Sequence, residues 1–143
     1  MIPDLSAPFR RFLDDRDVRV VEGASADYAP HAPPFVHLVP RSREALVEIV
    51  RAAFRDRIPL VPVGGNTSPR VAAESAPPCV LVSTEMIDRV VAHANEDLTF
   101  TAEAGLSLAA AQETCARRGQ QLPLRAPLSG RSTLGGIVSR ASE

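Results

Sequence analysis

Short apolar runs and one long amphipathic segment organise the first half of the chain. Apolar residues dominate positions 35–39, 58–63 and 79–83, and runs of this length are typical of buried strands. The segment between the first two runs repeats its apolar residues at helical spacing. Residues 35–63 therefore predict a strand–helix–strand unit with parallel strands, and the third run predicts another buried strand.

The predicted helix has a start signal, an apolar face and a stop signal. Ser42 is a good N-cap, because its hydroxyl can accept a hydrogen bond from the first turn, and Pro59 is expected to stop the helix. The apolar residues expected to form the packed face are Leu46, Val47, Ile49, Val50, Ala53 and Phe54. Charged residues occupy the other face, as on a helix that packs against one side of a sheet.

The second half of the chain changes to an alternating pattern. Residues 89–93 and 98–102 alternate their apolar positions on either side of a short polar turn, which predicts a β-hairpin. Ser107 can cap a second helix over residues 108–118. Residues 125–139 then form a stretch rich in Pro, Gly, Ser and Thr, for which no regular element is predicted.

Composition and charge narrow the function classes. The 143 residues are 45% hydrophobic and 23% charged with a formal net charge of -1, which indicates a globular protein. Since there is no long basic run, nucleic acid and anionic membrane surfaces are not expected as main partners. No apolar stretch approaches the length of a transmembrane span, and residues 1–11 lack the apolar region of a signal peptide.

The cysteines and histidines indicate neither a disulfide framework nor a metal centre. Cys79 and Cys115 are far apart and form no CxxC pair, so reduced thiols and a cytoplasmic location are expected. His31, His37 and His93 show no metal-ligand spacing with the cysteines, so no metal site is expected.

Two glycines follow the second apolar run directly. Gly64 and Gly65 stand where the predicted strand ends, and the small polar residues Asn66, Thr67 and Ser68 come next. We expect the glycines to take positive φ angles and to let the backbone approach a ligand closely. Successive backbone N–H groups in such a turn can form a nest for an anion such as phosphate, with the Thr67 and Ser68 hydroxyls as further donors. An ordinary tight turn is the alternative interpretation of the same residues.

Six short motifs occur in one order along residues 35–140. They are Pro40-Arg41-Ser42 at the first helix, Pro62 to Ser68, Asp88-Arg89-Val90-Val91, Leu98 to Gly105, Arg118-Gly119 and Ser132 to Val138. Each motif alone is weak, but the ordered set is specific. It resembles the FAD-binding domain of the vanillyl-alcohol oxidase / p-cresol methylhydroxylase (PCMH-type) flavoprotein family. Within that family the likeness is strongest to bacterial glycolate oxidase FAD-binding subunits and D-lactate dehydrogenases.

The resemblance implies an α+β fold of the PCMH type. In this family a small parallel βαβ subdomain is followed by an antiparallel-sheet subdomain, and FAD lies between them. Residues 1–34 are then an N-terminal lead-in segment, residues 35–88 the first FAD-binding subdomain and residues 89–143 the beginning of the second. We expect the rest of the second subdomain and the substrate domain to be missing, so that the fold is truncated.

The resemblance also assigns cofactor-binding residues. In the family the first glycine motif grips the FAD pyrophosphate, and the second lies along the flavin and its ribityl chain. The matching positions are Pro62, Val63, Gly64, Gly65, Asn66, Thr67, Ser68, Pro127, Gly130, Ser132, Thr133, Gly135 and Gly136. For the second motif, a flexible C-terminal tail is the alternative interpretation.

Attachment of the cofactor is expected to be noncovalent. Some family members bond FAD to a histidine directly after the Gly-Gly pair, and some add a cysteine near the second glycine motif. This chain has Asn66 at the first position and no cysteine between Pro127 and Gly136. An amide can donate and accept hydrogen bonds but is not a nucleophile toward the flavin methyl group.

No catalytic residue is assigned from the sequence. Oxidation of a 2-hydroxy acid needs a cation for the carboxylate and a base for the hydroxyl proton, and relatives supply these largely from regions that this chain lacks. Arg125 and Arg131 are expected to be solvated, and His37 and His93 to be packed or edge histidines in strands.

The resemblance implies the FAD-binding portion of a flavin-dependent oxidoreductase that acts on a 2-hydroxy acid such as glycolate or D-lactate. A partner subunit or second chain would complete the flavin domain, and the substrate would be a small molecule. Two alternatives stay open: a non-catalytic remnant or assembly module of the same fold, and a flavin domain similar to UDP-sugar reductases. An open sheet edge, which invites pairing with another chain, favours the assembly alternative.

Overall fold

The computed structural model describes residues 8–9, 17–22, 36–67 and 79–140, which fall into two compact units. Unit 1 groups Met1–Val63 with Ser68–Met86, and unit 2 groups Gly64–Thr67 with Ile87–Glu143. The glycine loop thus belongs to unit 2, although it directly follows a strand of unit 1. The assignment of residues 35–88 and 89–143 to two FAD-binding subdomains stays a prediction, and Ser68 lies outside the described residues.

Unit 1 contains a four-stranded mixed sheet. Its strands are β1 (Val18–Glu22), β2 (Val36–Pro40), β3 (Leu60–Val63) and β4 (Val80–Ser83). Their spatial order is β1-β2-β4-β3, with β1 antiparallel to β2, and with β2 and β3 each parallel to β4. Because β2 and β3 both run parallel to β4, they run in the same direction, as the strand–helix–strand prediction requires.

The helix of unit 1, α1 (Arg43–Asp56), begins at the predicted cap. The Ser42 hydroxyl accepts a hydrogen bond from the Ala45 N–H at 3.1 Å, which satisfies one of the donors left open at the helix N-terminus. The helix ends at Asp56, ahead of the predicted stop signal at Pro59, which lies two residues after the C-cap Arg57. The helix ends because Arg57 turns into the left-handed region at φ 54° and donates its N–H back to the last turn.

The face of α1 that packs on the sheet differs from the predicted face. The buried residues of the helix are Ala45, Ile49, Ala52 and Ala53, and they pack against Leu38, Val80 and Val82. Val47, Val50 and Phe54 were expected in this face, but they are 46%, 46% and 86% exposed. Helix α1 has two apolar faces, and the one with the smaller side chains packs on the sheet. Its alanines let the helix approach the sheet closely.

Unit 2 begins with a two-stranded ribbon and a second helix, as predicted. Strands β5 (Val90–Ala94) and β6 (Thr99–Ala102) pair antiparallel, with an irregular register between Val90 and Ala92. Helix α2 (Leu108–Ala116) starts after Ser107, whose hydroxyl accepts the N–H of Ala110 at 3.2 Å.

The glycine-rich stretch ends in a helix that the sequence analysis did not predict. Helix α3 (Leu134–Ser139) is capped by Thr133, whose Oγ1 accepts the N–H of Gly136 at 3.2 Å. Two glycines within six residues disfavour a helix, and this masked the signal that the threonine cap gives. In the described part of the chain, no helix is long and apolar enough to span a bilayer.

Candidate functional site

The loop of residues 64–67 takes its left-handed turn at the asparagine. Among the described residues, positive φ angles occur at Gly119 and at four non-glycine positions, one of which is Asn66 at 52°. The prediction that Gly64 and Gly65 have positive φ is therefore wrong. Asn tolerates this region better than most residues because its short amide can hydrogen-bond locally, so Asn66 supplies the turn that a glycine was expected to supply.

The two glycines serve a close approach of two backbone segments. A Cβ atom added to Gly65 would lie 1.6 Å from the carbonyl oxygen of Arg131, and one added to Gly64 would lie 2.3 Å from Thr133 Oγ1. Real Cβ atoms do not come this near to other heavy atoms, so a side chain at either position would force a neighbour to move: the Thr133 side chain at Gly64, and backbone at Gly65. The structure thus brings the first glycine motif directly against residues 131–133 of the second.

Hydroxyl groups tie the two motifs together. Ser132 Oγ lies 2.6 Å from the carbonyl oxygen of Pro127 and 3.1 Å from Thr67 Oγ1. A carbonyl only accepts, so the single Ser132 proton goes to Pro127 and the Thr67 hydroxyl donates to Ser132. The Thr67 hydroxyl was expected to donate to a phosphate, but it donates to Ser132 instead. Ser132 and Thr133 are also buried, and their side chains hold the loop of residues 64–67 in place.

The start of α3 is fitted against the stretch that follows β6. The Gly135 N–H donates to the carbonyl oxygen of Ala104 at 2.9 Å, and a Cβ at Gly135 would lie 2.8 Å from Ala104 Cβ. The sequence analysis assigned no role to Ala104, and the signal that could have found it is its small size next to Gly105. Gly130 differs, because it is exposed and a Cβ there would meet nothing within 4 Å.

The remaining predicted residues lie in other settings. Pro62 and Val63 are the last residues of β3, with Pro62 exposed and Val63 buried in unit 1. His37 is buried in β2, and His93 places Nε2 2.7 Å from Gln120 Oε1 in unit 2. Both histidines are packed in strands as expected. Within the described ranges, no group of three His, Cys, Asp or Glu side chains is arranged to hold a metal ion.

The loop has the donor set that a phosphate group requires. Among the described residues, neither the Gly64 nor the Gly65 backbone N–H donates to a protein acceptor. The sequence places no carboxylate in residues 64–67 or 127–136, and the Arg131 side chain in the second motif is exposed. The loop thus offers two open N–H donors beside a left-handed residue, and neither motif contains a negatively charged side chain. This arrangement fits a bound dianion such as pyrophosphate.

A comparison with protein families agrees with this chemistry. A family model described as an FAD binding domain matches residues 34–142. The chain belongs to the FAD-binding domain family. The resemblance to PCMH-type FAD-binding domains, inferred from the motif order, is thereby confirmed, and FAD is the cofactor of the domain.

A curated relative of this chain is a much longer protein. D-2-hydroxyglutarate dehydrogenase of Stutzerimonas stutzeri is 31% identical over 114 residues, which are 78% of this chain and 25% of that protein. The chain therefore spans about a quarter of the curated relative that it matches.

Solved structures share the fold at low sequence identity. Two structures of alkyldihydroxyacetonephosphate synthase match with TM-scores of 0.75 and 0.73 at 16% and 17% identity. They cover 100% of this chain and 32% and 30% of their own chains. A histidine-to-alanine mutant of cholesterol oxidase from Brevibacterium sterolicum matches with a TM-score of 0.69 at 18% identity, over 85% of this chain and 24% of that one. These matches confirm the α+β fold of the PCMH type.

Proposed function

We propose that the first glycine motif, residues 62–68, holds the FAD pyrophosphate through its backbone. The observation that carries this proposal is the pair of open N–H groups at Gly64 and Gly65, in a loop whose other side is filled by Arg131 and Thr133. A pyrophosphate is best held by fixed donors, and a loop braced by protein backbone cannot relax away from its ligand.

The second glycine motif contributes mainly by shaping the site. Gly135 and Gly136 allow α3 to begin close to Ala104 and Thr133, and the Ser132 and Thr133 hydroxyls hold the first motif in place. Pro127 and Gly130 are exposed, and Gly130 leaves space where a side chain would stand. This supports a role for residues 127–136 along the flavin and its ribityl chain.

The activity that we propose for the protein is that of a flavin-dependent oxidoreductase of 2-hydroxy acids. FAD held by this domain would supply the acceptor for a hydride from the substrate carbon. The curated relative is named for D-2-hydroxyglutarate, which adds that substrate to the glycolate and D-lactate suggested by the motif order. No described residue is assigned as the cation or the base that such a substrate needs, and we propose a partner subunit as their source. Both cysteines are buried and in the reduced thiol form, which supports a cytoplasmic location as part of this proposal.

Titration of the purified chain with FAD tests the proposal. We expect quenching of flavin fluorescence that saturates, and competition by ADP, because ADP carries the same pyrophosphate. No saturable binding up to millimolar FAD would contradict the proposed site. The chain alone is expected to show no reduction of a dye acceptor with D-2-hydroxyglutarate, glycolate or D-lactate, since no described residue is assigned to the substrate, and turnover of any of them would contradict this division of roles.

Bound flavin is expected to leave the protein when the fold is lost. Asn66 occupies the position after the Gly-Gly pair and offers no nucleophile for a covalent link. After the chain is loaded with FAD and precipitated in acid, the yellow colour should appear in the supernatant. Colour that stays with the washed pellet would show a covalent bond and contradict the noncovalent assignment.

A further inference from the structure

A buried carboxylate stands at the end of strand β6. The Glu103 side chain is 6% exposed, whereas the side chain of its partner Arg89 is 74% exposed. Glu103 accepts three hydrogen bonds from this one residue: from the Arg89 backbone N–H at 2.9 Å, from Nε at 3.2 Å and from Nη2 at 3.0 Å. A buried carboxylate is stable only when it is satisfied in this way, so the position of Glu103 is fixed.

The stretch that begins at Glu103 carries the second glycine motif. The backbone N–H groups of Glu103 and Gly105 donate to the carbonyls of Arg89 and Ile87 at 2.9 Å and 2.8 Å, which fastens one edge of the stretch to the base of the hairpin. Its other edge receives the motif: Leu134 donates to Leu106, Gly135 donates to Ala104, and Leu108 donates to Ser132, all at 2.8–2.9 Å.

The second glycine motif packs tightly against this second edge, with no room for a side chain at Gly135. A Cβ at Gly135 would lie 2.8 Å from Ala104 Cβ and 3.0 Å from the Ala104 carbonyl oxygen, so these two backbones are already in close contact. Thr133, two residues before Gly135, is the residue that meets Gly64 in the first motif. The contacts at Ala104 and Thr133 therefore connect the stretch at residue 103 with the glycine loop.

We infer that Glu103 is a positioning residue for FAD, which acts by holding residues 104–108 against the hairpin and so sets the place of the glycine loop. This inference rests on the proposed function, because it concerns the same loop. We assign Glu103 no direct contact with the cofactor. Its role is to keep the loop donors at fixed positions, as supporting groups do around other binding sites.

The test compares two isosteric substitutions in the purified chain. Glu103→Gln keeps the side-chain shape but turns an NH₂ group towards the Arg89 donors, and we expect FAD to bind about tenfold more weakly. Glu113→Gln is the matched control, because Glu113 pairs with Arg117 at 2.7 Å on the exposed surface of α2 and its side chain is 68% exposed. FAD affinity in the control should stay within about twofold of the original chain.

A second measurement separates positioning from general stability. Native-state amide exchange at Leu134 and Gly135 should be faster in Glu103→Gln, while exchange in helix α2 is unchanged at a temperature well below the unfolding transition. A folded Glu103→Gln chain with unchanged FAD affinity would overturn the inference, as would unchanged exchange at Leu134 and Gly135. If the original chain binds FAD and Gly65→Ala weakens that binding while Glu103→Gln does not, the proposed function stands and only the inference fails. An original chain that binds no FAD contradicts the proposed function itself.

Discussion

Gly65→Ala is expected to weaken FAD binding by about 10- to 100-fold, and Gly65→Val to abolish measurable binding. The added Cβ would stand 1.6 Å from the Arg131 carbonyl oxygen, which is backbone and cannot rotate away. The loop must then move, at a cost of about 1–3 kcal/mol for this kind of overpacking, and the N–H donors move with it. Fluorescence titration measures the loss of affinity, and thermal unfolding should show a lower midpoint as well.

A series of glycine-to-alanine variants provides the control for this effect. At Gly64 the nearest atom is the Thr133 hydroxyl, a side-chain atom that can rotate, so Gly64→Ala should destabilise unit 2 less than Gly65→Ala. At Gly130 there is open space, so Gly130→Ala should leave the unfolding midpoint unchanged. Equal midpoints for all three variants would show that residues 64–65 and 131–133 do not pack as described.

Ile49→Ala is expected to lower the free energy of unfolding by about 2–5 kcal/mol. Ile49 has no solvent exposure and packs in the core of unit 1 between helix α1 and the sheet. Its truncation removes buried apolar surface and leaves a cavity beside Leu38 and Val80. Since a small domain has only about 5–15 kcal/mol of stability, the loss is a large fraction of the total, and urea unfolding followed by circular dichroism measures it.

Val50→Ala is the matched control, because Val50 is the next residue on the same helix and is 46% exposed. Its truncation should cost less than about 1 kcal/mol, the usual range for surface substitutions. If both variants lost the same stability, the assignment of the inner face of α1 would be wrong.

Local signals in the sequence predicted most of the elements. Ser42 and Ser107 cap the helices expected of them, and the β5–β6 hairpin forms where the apolar residues alternate. These features depend on a few neighbouring residues, so a single sequence suffices to find them. The order of the motifs predicted the fold, because the same motifs occur in the same order in one flavoprotein family.

Features that depend on distant residues were not predictable in the same way. Helix α1 carries two apolar stripes, and only the sheet decides that Ile49 is buried while Phe54 is exposed. The glycines of the first motif suggested positive φ, but their reason lies in Arg131 and Thr133, far along the chain. The sequence also did not predict that the Thr67 hydroxyl, expected to bind phosphate, hydrogen-bonds to Ser132.

The distance along the chain between the glycine loop and its braces has a consequence for biosynthesis. Thr67 and Ser132 are separated by 65 residues. At a translation rate of about 5–20 residues per second, the loop is made about 3–13 seconds before the residues that hold it. Closing a long segment also costs entropy that only the final contacts offset. The glycine loop therefore takes its shape late, and under the proposed function we expect FAD capture only after residue 133 has left the ribosome exit tunnel.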